Sequence, residues 1–147
     1  MNGTDTDIGR QLQAGERVPL SGTRSIILID SKRDHELLLI ARSANGNELV
    51  HAGSDSPYST ERYENGQRIE IRISLLHPEV RYTLGAYASR DEMPDILATL
   101  HDPRCHLPIR SRGEGAVAIA EFYHKDGWRM KADGGWYRGG LQSMLSV

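Results

Sequence analysis

Carboxylates on two loops are the residues of this chain whose type and spacing most suggest chemistry. Asp30, Asp34 and Glu36 fall in and just after the junction between two apolar runs, and Asp55, Glu61 and Glu64 follow in "GSDSPYSTERYENG". Calcium takes about six to eight oxygen ligands, drawn from acidic and amide side chains and from loop carbonyls. Two acidic loops at the same end of a domain would supply such a set. Exposed loops are also polar for solvation alone, and the spacing by itself favours that plainer reading.

Other reactive side chains carry less. "HDPRCH" brings His101, Cys105 and His106 together, but neighbours on a strand point to opposite faces, and a further ligand at zinc spacing is missing. A buried thiol beside exposed imidazoles is expected. No serine sits in a Gly-x-Ser-x-Gly elbow, and no acid and base share a recognisable context, so nothing in the sequence supports catalysis.

The glycine-rich stretch "GWRMKADGGWYRGGL", Gly127 to Leu141, contains both tryptophans. Too few residues follow it for a dinucleotide-binding crossover, and it has no Gly-Lys-Ser/Thr for a phosphate loop. Structural glycine is the preferred reading: Gly134–Gly135 and Gly139–Gly140 permit tight reversals, so that Trp136, Tyr137 and Leu141 fold back over the open end of the domain. A small-molecule or carbohydrate platform made of Trp128, Trp136 and Tyr137 is the alternative.

These residues must be held by a modest scaffold. The length of 147 residues suits one domain with a single core. The net charge is −2, and although arginines outnumber lysines fifteen to three, they alternate with carboxylates along the chain. That argues against nucleic acid or an anionic membrane as partner. Cys105 is the only cysteine, so an intrachain disulfide is impossible. The polar opening and the short apolar runs show neither a secretory pattern nor a spanning segment, and a cytoplasmic protein without membrane insertion is expected.

Residues 1–11 read as a flexible lead and 12–147 as one domain. "SIILID" and "ELLLIA" are continuous apolar runs, expected as strands covered on both faces. Asn45-Gly46 signals a hairpin. "QRIEIRISL" alternates Ile69, Ile71, Ile73 and Leu75 against Arg68, Glu70, Arg72 and Ser74, a half-buried strand. "VRYTLGAYA" and "AVAIAEFY" continue in the same manner, and "HKDG" is the loop before a strand carrying Trp128, Met130 and Ala132 on one side. "PDILATL" suits helix or strand; the turn at Asp102-Pro103 favours strand. Many short strands separated by turns predict an all-β fold, a β-sandwich of two mostly antiparallel sheets with a short C-terminal closing segment.

Ala118 to Val147 resembles the C-terminal signature of the TerD family of bacterial tellurium-resistance and stress-response proteins. The family pattern is a strand ending Glu-Leu-Tyr-Arg, then Gly-x-Trp-Lys-Phe, Ala-x-Gly-x-Gly-Tyr and Gly-Leu. This chain offers Glu121-Phe122-Tyr123-His124, Gly127-Trp128-Arg129-Met130, Ala132-Asp133-Gly134-Gly135-Trp136-Tyr137 and Gly140-Leu141. Weaker echoes extend over residues 12–147, in "LQAGERVPL" and "NGQRIEIRISLLHPEV". The resemblance implies a non-enzymatic sandwich with calcium-binding loops at one end. By position, Asp34 and Glu36 would stand for the first ligand pair, Asp55 for the second loop and Glu64 for the third. "DHE" replaces one Asp by Glu, "GSDS" shifts its acid, and "YENG" keeps one acid where the family has three. Reduced ligand charge predicts a weak or degenerate calcium site. The partner expected from this reading is an unidentified protein or small ligand.

Overall fold

"SIILID" and "ELLLIA", adjacent in sequence, become strands of different sheets. A computed structural model describes residues 10–30, 36–93, 97–101, 103–109 and 113–146. The first sheet runs β1 (Arg10–Gln11), β10 (Cys105–His106), β9 (Leu97–Leu100), β3 (Arg24–Asp30), β7 (Gly66–Arg72) and β6 (Tyr58–Tyr63). The second runs β2 (Arg17–Pro19), β12 (Trp128–Ala132), β11 (Gly113–His124), β8 (Arg81–Met93), β4 (Glu36–Ser43) and β5 (Gly46–Val50). A short strand, β13 (Trp136–Tyr137), also pairs with β11. Among the described residues only β1 and β10 pair in parallel; the other ladders are antiparallel. The chain is thus the all-β sandwich its turn-punctuated strands predict. "PDILATL" supplies β9, and Arg10–Gln11, in the stretch read as a lead, is already paired.

The inner faces supply the core. Ile27, Ile29, Ile69 and Ile71 of the first sheet meet Leu39, Leu84, Val117, Ile119, Phe122 and Met130 of the second, all fully buried. Each such side chain contributes about 1.5–3 kcal/mol through removal from water. The outer face of β3 is less covered, with Ile26 and Leu28 half-buried. The outer face of β4 does get its second layer, because Leu38 and Ile40 join Ala116, Ala118 and Met144 in a separate buried cluster.

Met144 belongs to a terminal helix, α1 (Leu141–Ser146). The closing segment therefore covers the outer face of the second sheet, not the open end of the sandwich. The physical reason is the apolar strip formed by Leu38, Ile40, Ala116 and Ala118, which only an added layer can bury. Arg42 Nη2 donates to the Met144 carbonyl at 2.8 Å and Asn47 Nδ2 to that of Leu145 at 2.7 Å, tying down the last carbonyls of the helix. Two glycines permit the return. A Cβ on Gly134 (φ +101°) would lie 2.3 Å from the Pro108 carbonyl oxygen, and one on Gly115 (φ +84°) 2.0 Å from that of Tyr137. Among the described residues no helix is long and apolar enough to cross a membrane.

One irregularity decides what the second sheet presents to solvent. The β11–β8 register shifts between Ala118 and Ala120. Unbroken alternation would keep Glu121 and Tyr123 on the inner side with Val117 and Ile119. The bulge reverses the phase, so Phe122 enters the core while Glu121 and Tyr123 turn outward.

Candidate functional site

Among the described residues the acidic positions do not all close on one hollow. Asp30 pairs with Gly66, so the turn carrying Glu64 lies at the end of the first sheet where β3 finishes, and Glu36 begins β4 after the crossing from that same end. Asp34 lies outside the described residues. Asp55 sits in the loop before β6, which Arg72 braces through the carbonyls of Gly53 at 3.0 Å and Ser56 at 2.7 Å. Arg72 pairs with Arg24, at the opposite end of the sheet. The length of β6 separates Asp55 from Glu64, and from Tyr58 to Tyr63 that is about 17 Å at about 3.3 Å per residue. Calcium–oxygen contacts are about 2.3–2.6 Å long, so Asp55 and Glu64 cannot share one ion. Glu36, Asp55 and Glu64 are all exposed, and among the described residues no three His, Cys, Asp or Glu side chains gather as a metal site.

The aromatic residues are likewise divided. Trp136 packs against the main core and Tyr137 against the cluster under α1. Trp128 points inward, 6.5 Å from Tyr82 between ring centroids and 5.4 Å, edge-on, from His124. The three rings form no common platform. Cys105 is buried, and burial raises its thiol pKa, with a smaller upward push from Glu16 and an opposing one from Arg10. His106 Nδ1 meets Thr99 Oγ1 at 3.0 Å, but no carboxylate orients that imidazole among the described residues.

What the fold does gather is positive charge. Register places Arg17, Lys131 and Glu121 in one row across β2, β12 and β11. The next row holds Arg129 and Tyr123, with Arg81 and Arg42 beyond on β8 and β4. All project from the outer face, beside the area covered by α1. Tyr123, only 6% exposed, lies under two guanidinium groups, Arg81 at 5.0 Å and Arg17 at 5.9 Å from the ring centroid. Such contacts are each worth about 0.5–1 kcal/mol at exposed sites and hold both charges in place. Arg81 also pairs with Glu121 at 2.5 Å. Arg129 Nε donates to the Lys125 carbonyl at 2.8 Å, which fixes the guanidinium and leaves its terminal nitrogens for a ligand. Among the described residues, Arg17, Arg129 and Lys131 have no carboxylate in ion-pair range.

Beside this face is a hollow of about 260 Å³ between the turn before β8 and the β11–β12 hairpin. Pro78, Val80, Arg81, Tyr123, His124 and Lys125 line it, with Glu79 as its acid. The hairpin that carries Lys125 closes with the Lys125 amide donating to the Gly127 carbonyl at 2.8 Å, with Asp126 and Gly127 at positive φ. Linear charge alternation conceals this surface, because its members come from five strands. The bulge that turns Tyr123 to the outer face has no clear mark in the sequence.

Compared with protein-family models, curated proteins and solved structures, the chain finds no match.

Proposed function

We propose that this chain is a non-enzymatic binding module, a divergent relative of the TerD stress-response proteins, whose working surface is the cationic outer face of its second sheet and whose ligand is anionic. The observation that carries the binding role is the set Arg17, Arg129 and Lys131, without carboxylate partners among the described residues and beside the arginine-flanked Tyr123, on a protein of net charge −2. A protein with that charge has no bulk reason to attract anions, so attraction would come from local arrangement. Arginine predominates here, and its planar fork matches carboxylate and phosphate oxygens in pairs. The link to TerD rests on the C-terminal residue pattern, and the cytoplasmic, tellurite- or stress-related setting comes with that resemblance. Calcium binding in this reading would be weak and confined to the end bearing Glu36 and Glu64, without Asp55.

The test is retention on immobilised heparin at low salt. The wild-type protein is retained, while the Arg17→Ser/Arg129→Ser/Lys131→Ser variant, with an unchanged melting temperature, flows through. Equal behaviour of the two proteins would remove the proposed surface.

A further inference from the structure

We infer that the occupant of the cationic face is a short, extended, acidic segment of a partner protein, with one acidic side chain entering the hollow beside Arg81. This rests on the anion-binding reading above and narrows it to one class of ligand.

Size points away from a free metabolite. Pockets for drug-sized ligands and cofactors span about 300–1,000 Å³ and bury most of the ligand, whereas this hollow holds about 260 Å³ and lies between a turn and a hairpin. A single side chain projecting from a larger molecule suits it better. His124 and Lys125 line the hollow from the β11–β12 hairpin and Arg81 from β8, so an entering carboxylate meets basic residues from two elements against a single acid, Glu79.

Spacing points to an extended peptide. Carboxylates two residues apart on an extended segment are about 6.8 Å apart, the same repeat that separates Lys131 from Arg129 along β12. Arg17 lies directly across from Lys131 and adds a second cation to that position. From β2 to β8 the face spans three strand spacings, about 14 Å, enough for a few residues and no more. Edge addition is a poorer route here, because β2 is only three residues long and ends in Pro19.

Chemistry disfavours the other polyanions. Single-stranded nucleic acid is held by aromatic rings that stack on bases, but Tyr123 is buried beneath its two arginines. The net charge of −2 would also repel a long phosphate backbone beyond the patch. A membrane surface would call for apolar side chains among the cations. Tyr63, Leu75 and Leu97 are exposed on the first sheet or the turn leaving it, and Leu49 is on the far edge strand. Glu121 sits among the cations and is held by Arg81, so an anion binds on either side of it, at Arg17 and Lys131 or at the hollow.

The experiment measures fluorescence anisotropy of a fluorescein-labelled peptide alternating Glu with Ser, added to the full chain at low salt. Competitors are an oligothymidylate of equal length, tripolyphosphate and anionic lipid vesicles. The expected result is saturable peptide binding, weakened about tenfold by Arg129→Ser/Lys131→Ser and by the single exposed substitution Arg17→Ser to a lesser degree. Oligothymidylate and vesicles compete poorly. If nucleic acid, tripolyphosphate or vesicles bind this face and the peptide does not, the peptide inference falls while the anion-binding reading stands. If no anion binds, both fall. Peptide binding that both variants retain unchanged also overturns the inference, because it places the site elsewhere.

Discussion

Replacing Gly85 by alanine tests where the C-terminal helix lies. A Cβ built on Gly85 would sit 2.7 Å from Met144 Sδ, 3.1 Å from its Cε and 3.3 Å from the Val117 carbonyl oxygen. Met144 is fully buried, so its thioether has little room to move away. Overpacking of this kind costs about 1–3 kcal/mol. Met144→Ala instead empties the same space, at about 2–5 kcal/mol, nearer the lower bound because a short terminal helix can settle inward. Combining the two puts a methyl group where the thioether was, so the double variant should lose less than the sum of the singles, by about 1–2 kcal/mol. Urea denaturation of the four proteins gives the cycle. At this size each kcal/mol corresponds to about 2–4 °C in melting temperature, so the coupling is visible by calorimetry as well. Additive effects, or a neutral Gly85→Ala in the presence of Met144, would refute the placement of the helix over β8.

Other outcomes follow from the same geometry. Glu121→Gln releases Arg81 and removes the carboxylate from the centre of the cationic face. Its stability cost should stay below about 1 kcal/mol, as for an exposed ion pair. Affinity for an anionic probe should rise about threefold, because a unit charge at about 7 Å in water contributes about 0.6 kcal/mol; weaker binding would contradict the role given to the cations. Burial raises the Cys105 thiol above its usual 9.0 and the Tyr58 phenol above 10.0, the latter opposed by a hydrogen bond to the Leu39 backbone. Their neutral forms are favoured in the folded state, so this contribution is fully present below the unfolded values and lost as pH rises through the folded ones. Denaturation midpoints should hold steady near neutrality and fall above about pH 9, and a thiol reagent should modify Cys105 far faster in urea than in buffer. Asp55→Asn should leave any calcium-linked change in melting temperature intact; abolition of that change by Asp55→Asn alone would return Asp55 to a shared shell.

Much of the architecture was legible because period and punctuation are local properties. Ile69 and Ile71 alternate with charged residues, so β7 announces itself, and Asn45-Gly46 marks the β4–β5 turn. "ELLLIA" reads as covered on both faces, and Leu38 and Ile40 are indeed buried beneath α1. The helix itself was not legible, since "LQSMLS" is too short to show a helical period and owes its place to packing and to capping by Arg42 and Asn47. Candidate sites fared unevenly. The acids at Glu36 and Glu64 share one end, but the position of Asp55 depends on which way β6 runs from its loop, and chain order alone does not fix that. The cationic face is a cross-strand property. Arg17 and Lys131 are far apart in sequence and opposite in space, and the bulge before Ala120 decides that Tyr123 joins them.

The surface itself can be mapped residue by residue. In an NMR titration of the isotopically labelled chain with tripolyphosphate at low salt, amide shifts should saturate and cluster at Arg17, Arg81, Tyr123 to Lys125, Arg129 and Lys131, leaving the β6–β7 hairpin unchanged. Shifts that fail to saturate, or that gather on the first sheet, would contradict a binding face built from β2, β12, β11 and β8.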